Sequence, residues 1–367
     1  MPTIILKVTE KCNSNCAYCD VVSNRSQAEH MSLNILEILF KRMNAFLEAH
    51  PGETIHVTFH GGEPLLVGTE FYRAAYAFHL RYLRSKGDHI RYGIQSNLTL
   101  FSEEFAKVFH DLGMDNIGTS YDPEPHVRGP GVSHDSNLYN RMFMQGDGVA
   151  QRSGFTSGII YVVTKKSLKN PLKVFHYFTN LRPGGAFDIH PVLLYYHRRE
   201  ELAITPAEYV SFLGAIFPVW WKYQHRYPNV EPFHSMLKII KKGELSLPCT
   251  LSGACAYQHV NVDPCGETSQ CGRSSDWGLL PYGNIRERSL EEILCDPARD
   301  ELCRRNDILL QGECRGCRFW MLCHGDCPLD SYPKHSDFLH RSEWGCAGKT
   351  FIEQYFEPIT GLRFHPS

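Results

Sequence analysis

The stretch Ile4-Ile5-Leu6-Lys7-Val8-Thr9-Glu10-Lys11-Cys12-Asn13-Ser14-Asn15-Cys16-Ala17-Tyr18-Cys19 joins a β-rich run directly to three cysteines. Ile4–Val8 reads as a strand, and the cysteines follow it on one tight loop. Three thiolates so placed can hold three irons of a four-iron cluster, which leaves the fourth iron open to a small molecule. A structural site normally adds a fourth cysteine nearby, yet the next one after Cys19 is Cys249. The residues alone leave one alternative open, a zinc loop completed by a distant histidine.

Downstream of this loop, β-rich runs alternate with amphipathic stretches. Ser32 is expected to cap a helix through Ala49, with Ile35, Leu39, Met43 and Phe46 on one stripe and Pro51-Gly52 as the stop. Further strands are expected at Thr54–Phe59, Ile90–Gln95, Asn116–Tyr121, Gly158–Val163 and Phe187–Leu194. Helices are expected near 69–86, 102–112, 137–153, from Pro171, and over 206–226. Six strand–helix repeats imply an α/β fold with a parallel sheet and right-handed crossovers. Six is short of a closed eight-stranded barrel, so a curved, partial (β/α)6 TIM-type barrel is expected, with ligands at the carboxyl ends of the strands. After Glu231 the texture becomes rich in Gly, Cys, Pro and Ser, which places a boundary near residue 235 and two domains at 1–235 and 236–367.

The composition agrees with a soluble globular chain. Its 367 residues are 43% hydrophobic and 21% charged, and the net charge of −2 gives no reason to expect a nucleic-acid or membrane-surface partner. No apolar run approaches the ~20 residues that span a bilayer. Residues 1–8 are too short for a signal-peptide core, so the cytoplasm is the expected location. Thiols stay reduced there, which turns the 14 cysteines toward metal binding rather than disulfides. None occurs between Cys19 and Cys249, and eleven fall between Cys249 and Cys346, as two separate metal-binding regions would require.

The Cys12/Cys16/Cys19 spacing, CxxxCx(aromatic)C after the first strand, resembles the signature of the radical S-adenosylmethionine (SAM) superfamily. That resemblance implies an open iron chelating the amino and carboxylate groups of SAM, with electron transfer from an external donor of the flavodoxin or ferredoxin type. The other family elements appear in order. His60-Gly61-Gly62-Glu63-Pro64 resembles the GGE motif that meets the SAM amino group, since glycines allow close backbone approach and a carboxylate suits an ammonium. Gln95-Ser96-Asn97 and Ser120-Tyr121-Asp122 end the third and fourth strands, where the family contacts SAM, although Pro123 stands where the family usually has glycine. Arg128 and Arg141 are candidate partners for the SAM carboxylate. Each of these also reads as an ordinary polar loop residue.

The later cysteines resemble the SPASM motif. Cys255-x10-Gly266-x4-Cys271 matches its first half, Cys314-x2-Cys317-x5-Cys323-x3-Cys327 its second, and Cys346 the last position. Cys249 matches an upstream ligand of fully ligated members. The resemblance implies one auxiliary [4Fe–4S] cluster on Cys249, Cys255, Cys271 and Cys327, and a second on Cys314, Cys317, Cys323 and Cys346. With the reactive cluster, that makes three [4Fe–4S] clusters plus SAM. Two all-thiolate zinc sites are the competing reading of these eight residues. Cys265, Cys295 and Cys303 are left as ordinary small residues.

The resemblance implies a radical enzyme that modifies a peptide. The leading expectation is a maturase that crosslinks, or otherwise oxidatively modifies, a ribosomally made precursor; because the first strand begins by Ile4, its leader is expected either on a separate leader-recognition protein or elsewhere, such as an exposed sheet edge. A sulfatase-maturing enzyme, which oxidises Cys or Ser to formylglycine, is the alternative; that group places an Asp after the cysteine equivalent to Cys271, where this chain has Gly272. A small-metabolite enzyme and a non-catalytic electron carrier are the remaining readings, and an electron carrier gains nothing from an open iron. Asp122, at a strand end, is the candidate catalytic acid–base group, with Asp276 and Asp326 beside cluster cysteines. Tyr195-Tyr196 and Trp220-Trp221 are candidates for a substrate channel or for packing.

Overall fold

In a computed structural model, which describes residues 1–19, 30–194, 199–243, 247, 249–342 and 344–364, the six expected repeats appear. They run β1 (Thr3–Thr9), α1 (Leu33–Ala49), β2 (Ile55–Gly61), α2 (Thr69–Phe78), β3 (Ile90–Ser96), α3 (Glu103–Asp111), β4 (Asn116–Ser120), α4 (Ser136–Arg152), β5 (Thr156–Val163), α5 (Pro171–Leu181), β6 (Phe187–Pro191) and α6 (Pro206–Tyr223). Ser32 caps α1 by accepting from the Ile35 amide, and Thr205 with Glu208 forms a capping box on α6. The helix expected over 69–86 stops at Phe78 and continues as one π turn and a 3-10 segment, with Lys86 outside helical geometry next to Gly87.

The later chain adds β7 (Val230–Glu231), α7 (Phe233–Lys242), a one-turn α8 (Cys255–Gln258), β8 (His259–Val262), β9 (Glu267–Ser269), α9 (Gly272–Asp276), β10 (Pro281–Asn284), α10 (Leu290–Leu294), α11 (Asp300–Gln311) and α12 (Trp320–Cys323). These short strands were not expected, because none carries more than one or two periods of alternation.

The chain forms two compact units, each of two segments: 1–158 with 257–299, and 159–256 with 300–367. Residue 235, the expected boundary, lies inside α7, and the division into compact units falls elsewhere. The reason is β8, which pairs in parallel with β1 and draws residues 257–299 into the first unit.

In the first unit β1, β2, β3 and β4 pair in parallel, and β8, β9 and β10 continue from β1, the last two pairings antiparallel. Ile4, Leu6, Val8, Val57 and Phe59 share the face that is buried with Leu36, Leu39 and Met43 of α1. Phe59 meets Tyr72 of α2 edge-on, and Tyr72 meets Phe109 of α3. The alternate positions Lys7, His60, Gln95 and Ser120 fall on the opposite face, toward the carboxyl ends of the strands.

In the second unit β5, β6 and β7 pair in parallel. Phe217 of α6 packs against Trp220, Phe233, Phe351 and Phe356. Trp220 is thus a core residue, with its indole N–H donated to the Tyr227 carbonyl at 2.9 Å. The Tyr195-Tyr196 pair lies outside the described residues.

Candidate active site

The loop carrying Cys12, Cys16 and Cys19 is held by the backbone. Asn15 N–H donates to the Gly129 carbonyl and Ala17 N–H to the Val127 carbonyl, both at 2.8 Å, which ties the loop to the segment after β4. From the other side, Gly62 and Glu63 amides donate to the carbonyls of Thr9 and Lys11 at 2.9 and 2.8 Å. Gly61 has φ +133°, and a Cβ there would stand 2.0 Å from the Thr9 carbonyl oxygen; at Gly62 it would stand 2.3 Å from that of Lys11. Only glycine permits this approach. The GG pair therefore zips the end of β2 to the start of the cysteine loop.

Glu63 is fully buried. Its carboxylate accepts from Leu65 N–H at 3.0 Å, Ser96 Oγ at 2.8 Å and Asn97 N–H at 2.8 Å. Burial pushes it up to about 7, against the pull of those three donors. Through these bonds the side chain fixes the end of β3. Asn97 passes the tie onward, donating to Asn13 Oδ1 at 2.9 Å, while Asn13 donates to Thr99 Oγ1 at 2.8 Å. Gln95 donates to Ser120 Oγ at 3.1 Å, linking the ends of β3 and β4.

Asp122, the candidate acid–base group, lies two residues after β4. It is buried and pairs with Arg128, whose side chain is also buried, and Tyr18 donates to the same carboxylate oxygen. Arg128 further approaches Tyr139 Oη at 3.5 Å and Cys16 Sγ at 3.8 Å. The aromatic of the cysteine motif is thereby locked to the ion pair. Arg128, a candidate for the SAM carboxylate, pairs with Asp122, and Arg141, the other candidate, is exposed on α4.

The three thiols suit a cluster. Burial pushes Cys12 up to about 12 and raises Cys16, although Arg128 pulls Cys16 down, so these two protons leave readily only when a metal replaces them. Among the described residues no three His, Cys, Asp or Glu side chains converge as they would on a single ion; a four-iron cluster takes one thiolate per iron and makes no such demand.

In the second unit Cys314, Cys317, Cys323 and Cys346 line one cavity of about 450 Å³ together with Arg315, Arg318, Arg341 and Lys349. Burial pushes Cys323 up to about 12. Glu313 and Glu353 line the same cavity; four thiols with an excess of cations over carboxylates form a donor set that fits an anionic thiolate-bound cluster. Cys249, Cys255 and Cys327 also belong to the second unit, whereas Cys271 belongs to the first, at the N-cap of α9. Cys265 and Cys295 are exposed.

A second cavity in that unit, about 400 Å³, is lined by Asp188, His190, Asp326 and Asp330 among apolar side chains such as Leu213 and Trp344. His190 pairs with Asp188 at 2.8 Å; although burial lowers its pKa, Asp188 and Asp326 raise it further, above the usual range.

Two groups escaped the sequence reading. Lys7, fully buried on β1, pairs with Asp276 of α9. Arg305 sits on the buried stripe of α11 with Leu302 and Leu309; a cation at helical spacing among leucines was the available signal.

Comparison with known proteins matches a radical SAM superfamily model to residues 6–122 and an iron–sulfur cluster-binding SPASM model to residues 254–318. The chain is 25% identical over 372 residues to a cysteine-type anaerobic sulfatase-maturating enzyme of Clostridium novyi, covering 97% of this chain and 96% of that one. It is 23% identical to a serine-type anaerobic sulfatase-maturating enzyme of Bacteroides thetaiotaomicron, covering 95% and 86%. Among solved structures, native anSMEcpe with bound AdoMet and Cp18Cys peptide superposes with a TM-score of 0.83 at 22% identity, over 98% of both chains. Streptococcus suis SuiB bound to precursor peptide SuiA gives 0.62 at 13% identity, over 93% of this chain and 75% of that one.

Proposed function

The chain carries a radical SAM domain and an iron–sulfur-binding SPASM domain, and from that premise we propose that it oxidises a single Cys or Ser side chain of a peptide or protein substrate to formylglycine. The observation that carries this reading is end-to-end similarity to two sulfatase-maturating enzymes. It displaces precursor crosslinking, the leading expectation from sequence, and the separate leader-recognition protein has no part in it.

When bound, SAM and the open-site cluster supply a radical that takes one hydrogen atom from the substrate Cβ, and the auxiliary clusters supply a path for one electron. The remaining proton, on the substrate hydroxyl or thiol, needs an acceptor. For Ser this gives the aldehyde directly; for Cys it gives a thioaldehyde, which water converts to the aldehyde with loss of sulfide.

Gly272 cannot accept that proton. A Cβ at this position would meet Lys7 Cε at 3.7 Å and Ile5 Cγ2 at 3.8 Å, ordinary contact distances, so the space is open rather than forbidden. Asp276, one helical turn later on α9, pairs with the same lysine. Burial raises Asp276 above the usual carboxylate range while Lys7 pulls it down. We assign Asp276 as proton acceptor, with Lys7 holding it ionised. Gly61, Gly62 and Asn97 shape the SAM side of the site, Gln95 and Ser120 its floor, and Glu63 and Arg128 position these elements from behind. The electron that starts the reaction comes from a flavodoxin- or ferredoxin-type donor.

The test is to incubate anaerobically reconstituted protein, SAM and reductant with Cys- and Ser-containing sulfatase peptides, and to trap aldehyde with a hydrazide. Aldehyde on one of them, reduced by about 10²-fold or more in Asp276→Asn, supports the reading. A crosslinked product without aldehyde would return the precursor-maturase reading.

A further inference from the structure

Arg305 is 3% exposed, and its guanidinium reaches three backbone carbonyls: His324 and Gly325 at 2.9 Å and His340 at 3.0 Å. Its Nε finds no hydrogen-bond partner, and among the described residues no carboxylate forms an ion pair with it. Neutral carbonyls alone are poor compensation for a buried cation, which is costly unless an anion faces it. Burial lowers the pKa of Arg305, and the neighbouring Cys327, Asp326, Cys314 and Cys255 only partly oppose that lowering.

The position of those carbonyls adds a second argument. His324 and Gly325 lie between Cys323 and Cys327, two of the expected ligands, and the loop is tightly wound: His324, Gly325 and Asp326 have φ of 46°, 76° and 63°. Two non-glycine residues in that region are strained and need outside support. The planar guanidinium supplies it, with donors to two consecutive carbonyls. Gly325 makes room for the fork, since a Cβ there would stand 2.4 Å from Leu309 Cδ1 and 3.2 Å from Arg305 Nη2.

We infer that Arg305 is a positioning residue for the auxiliary clusters: a buried counter-charge that clamps the 323–327 loop and raises the potential at which those clusters accept an electron. This rests on the reading that the C-terminal cysteines ligate clusters. A fixed positive charge beside a thiolate-bound cluster stabilises the added electron, and low-dielectric surroundings strengthen the effect.

The experiment uses the full-length Cys12→Ala/Cys16→Ala/Cys19→Ala protein, reconstituted with iron and sulfide, so that every cluster signal is auxiliary. Its midpoint potentials are compared with those of the same protein carrying Arg305→Gln or Arg305→Lys, by EPR-monitored redox titration alongside iron analysis. Arg305→Gln should make at least one cluster about tenfold harder to reduce, equal to about 59 mV for one electron. Arg305→Lys, which keeps the charge but not the fork, should stay near the parent potential. Arg305→Gln at the parent potential with full iron would overturn the inference, as would equal shifts in both variants. Should Arg305→Gln fail to take up iron, Arg305→Lys decides: the parent potential upholds the counter-charge and a shifted one refutes it. A parent protein without iron would instead sink the auxiliary-cluster reading, and this inference with it.

Discussion

The two cysteine regions are held in contrasting ways. Cys12, Cys16 and Cys19 sit on a loop tied to its neighbours by backbone bonds from Asn15 and Ala17, the Gly61-Gly62 zipper and the Tyr18–Asp122–Arg128 group. Cys314, Cys317, Cys323 and Cys346 sit on turns and one-turn helices such as α12, and α11 with Arg305 is the longest regular element among them. A site built to keep one iron open is prearranged by its scaffold. A site whose irons are all thiolate-bound can let the metal do part of the folding.

That contrast can be broken by mutation. Replacing Cys12, Cys16 and Cys19 together with alanine should abolish SAM cleavage and remove about four irons per chain, while thermal unfolding stays close to the parent's. A large loss of stability would show that the first loop depends on metal as well. Cys323→Ala should do the reverse: iron falls, and limited proteolysis opens the region after residue 311 faster, with some SAM cleavage retained. An unchanged proteolysis pattern would remove the distinction.

Smaller effects sharpen the account of the first site. Arg128→Met removes the cation that faces the buried Asp122 carboxylate and should cost about 3–5 kcal/mol in urea unfolding. Arg141→Ala, on the exposed face of α4, should stay within about 0.5 kcal/mol and leave SAM affinity unchanged. Glu63 has its folded pKa, about 7, above the ordinary 4.5. The folded metal-free protein therefore keeps a proton that the unfolded chain releases, and its stability should fall as pH rises from about 4.5 toward 7, by roughly 3 kcal/mol. Glu63→Gln should flatten that slope; equal slopes in both proteins would rule out Glu63 as its source.

What could be read from the sequence follows from how local each signal is. Residues 12–19 carry their spacing in eight positions, and Ile35, Leu39 and Met43 repeat at helical intervals, so the loop and α1 were legible. The strand β8 has four residues, and its partner is β1, far away in sequence; nothing local announces that pairing. The same limit applies to roles. Asp122 and Arg128 stand six residues apart as a candidate acid–base group and a candidate SAM contact, and only the fold shows that they pair with each other. Lys7 and Asp276, 269 positions apart, were invisible as a pair.

The central claim is tested most directly by measuring iron, sulfide and zinc in anaerobically reconstituted protein and then adding SAM with a strong reductant. About twelve irons per chain, little zinc and release of 5′-deoxyadenosine are the predicted result. About four irons with two zincs would leave the first site standing and contradict the second, and no iron with no SAM cleavage would contradict both.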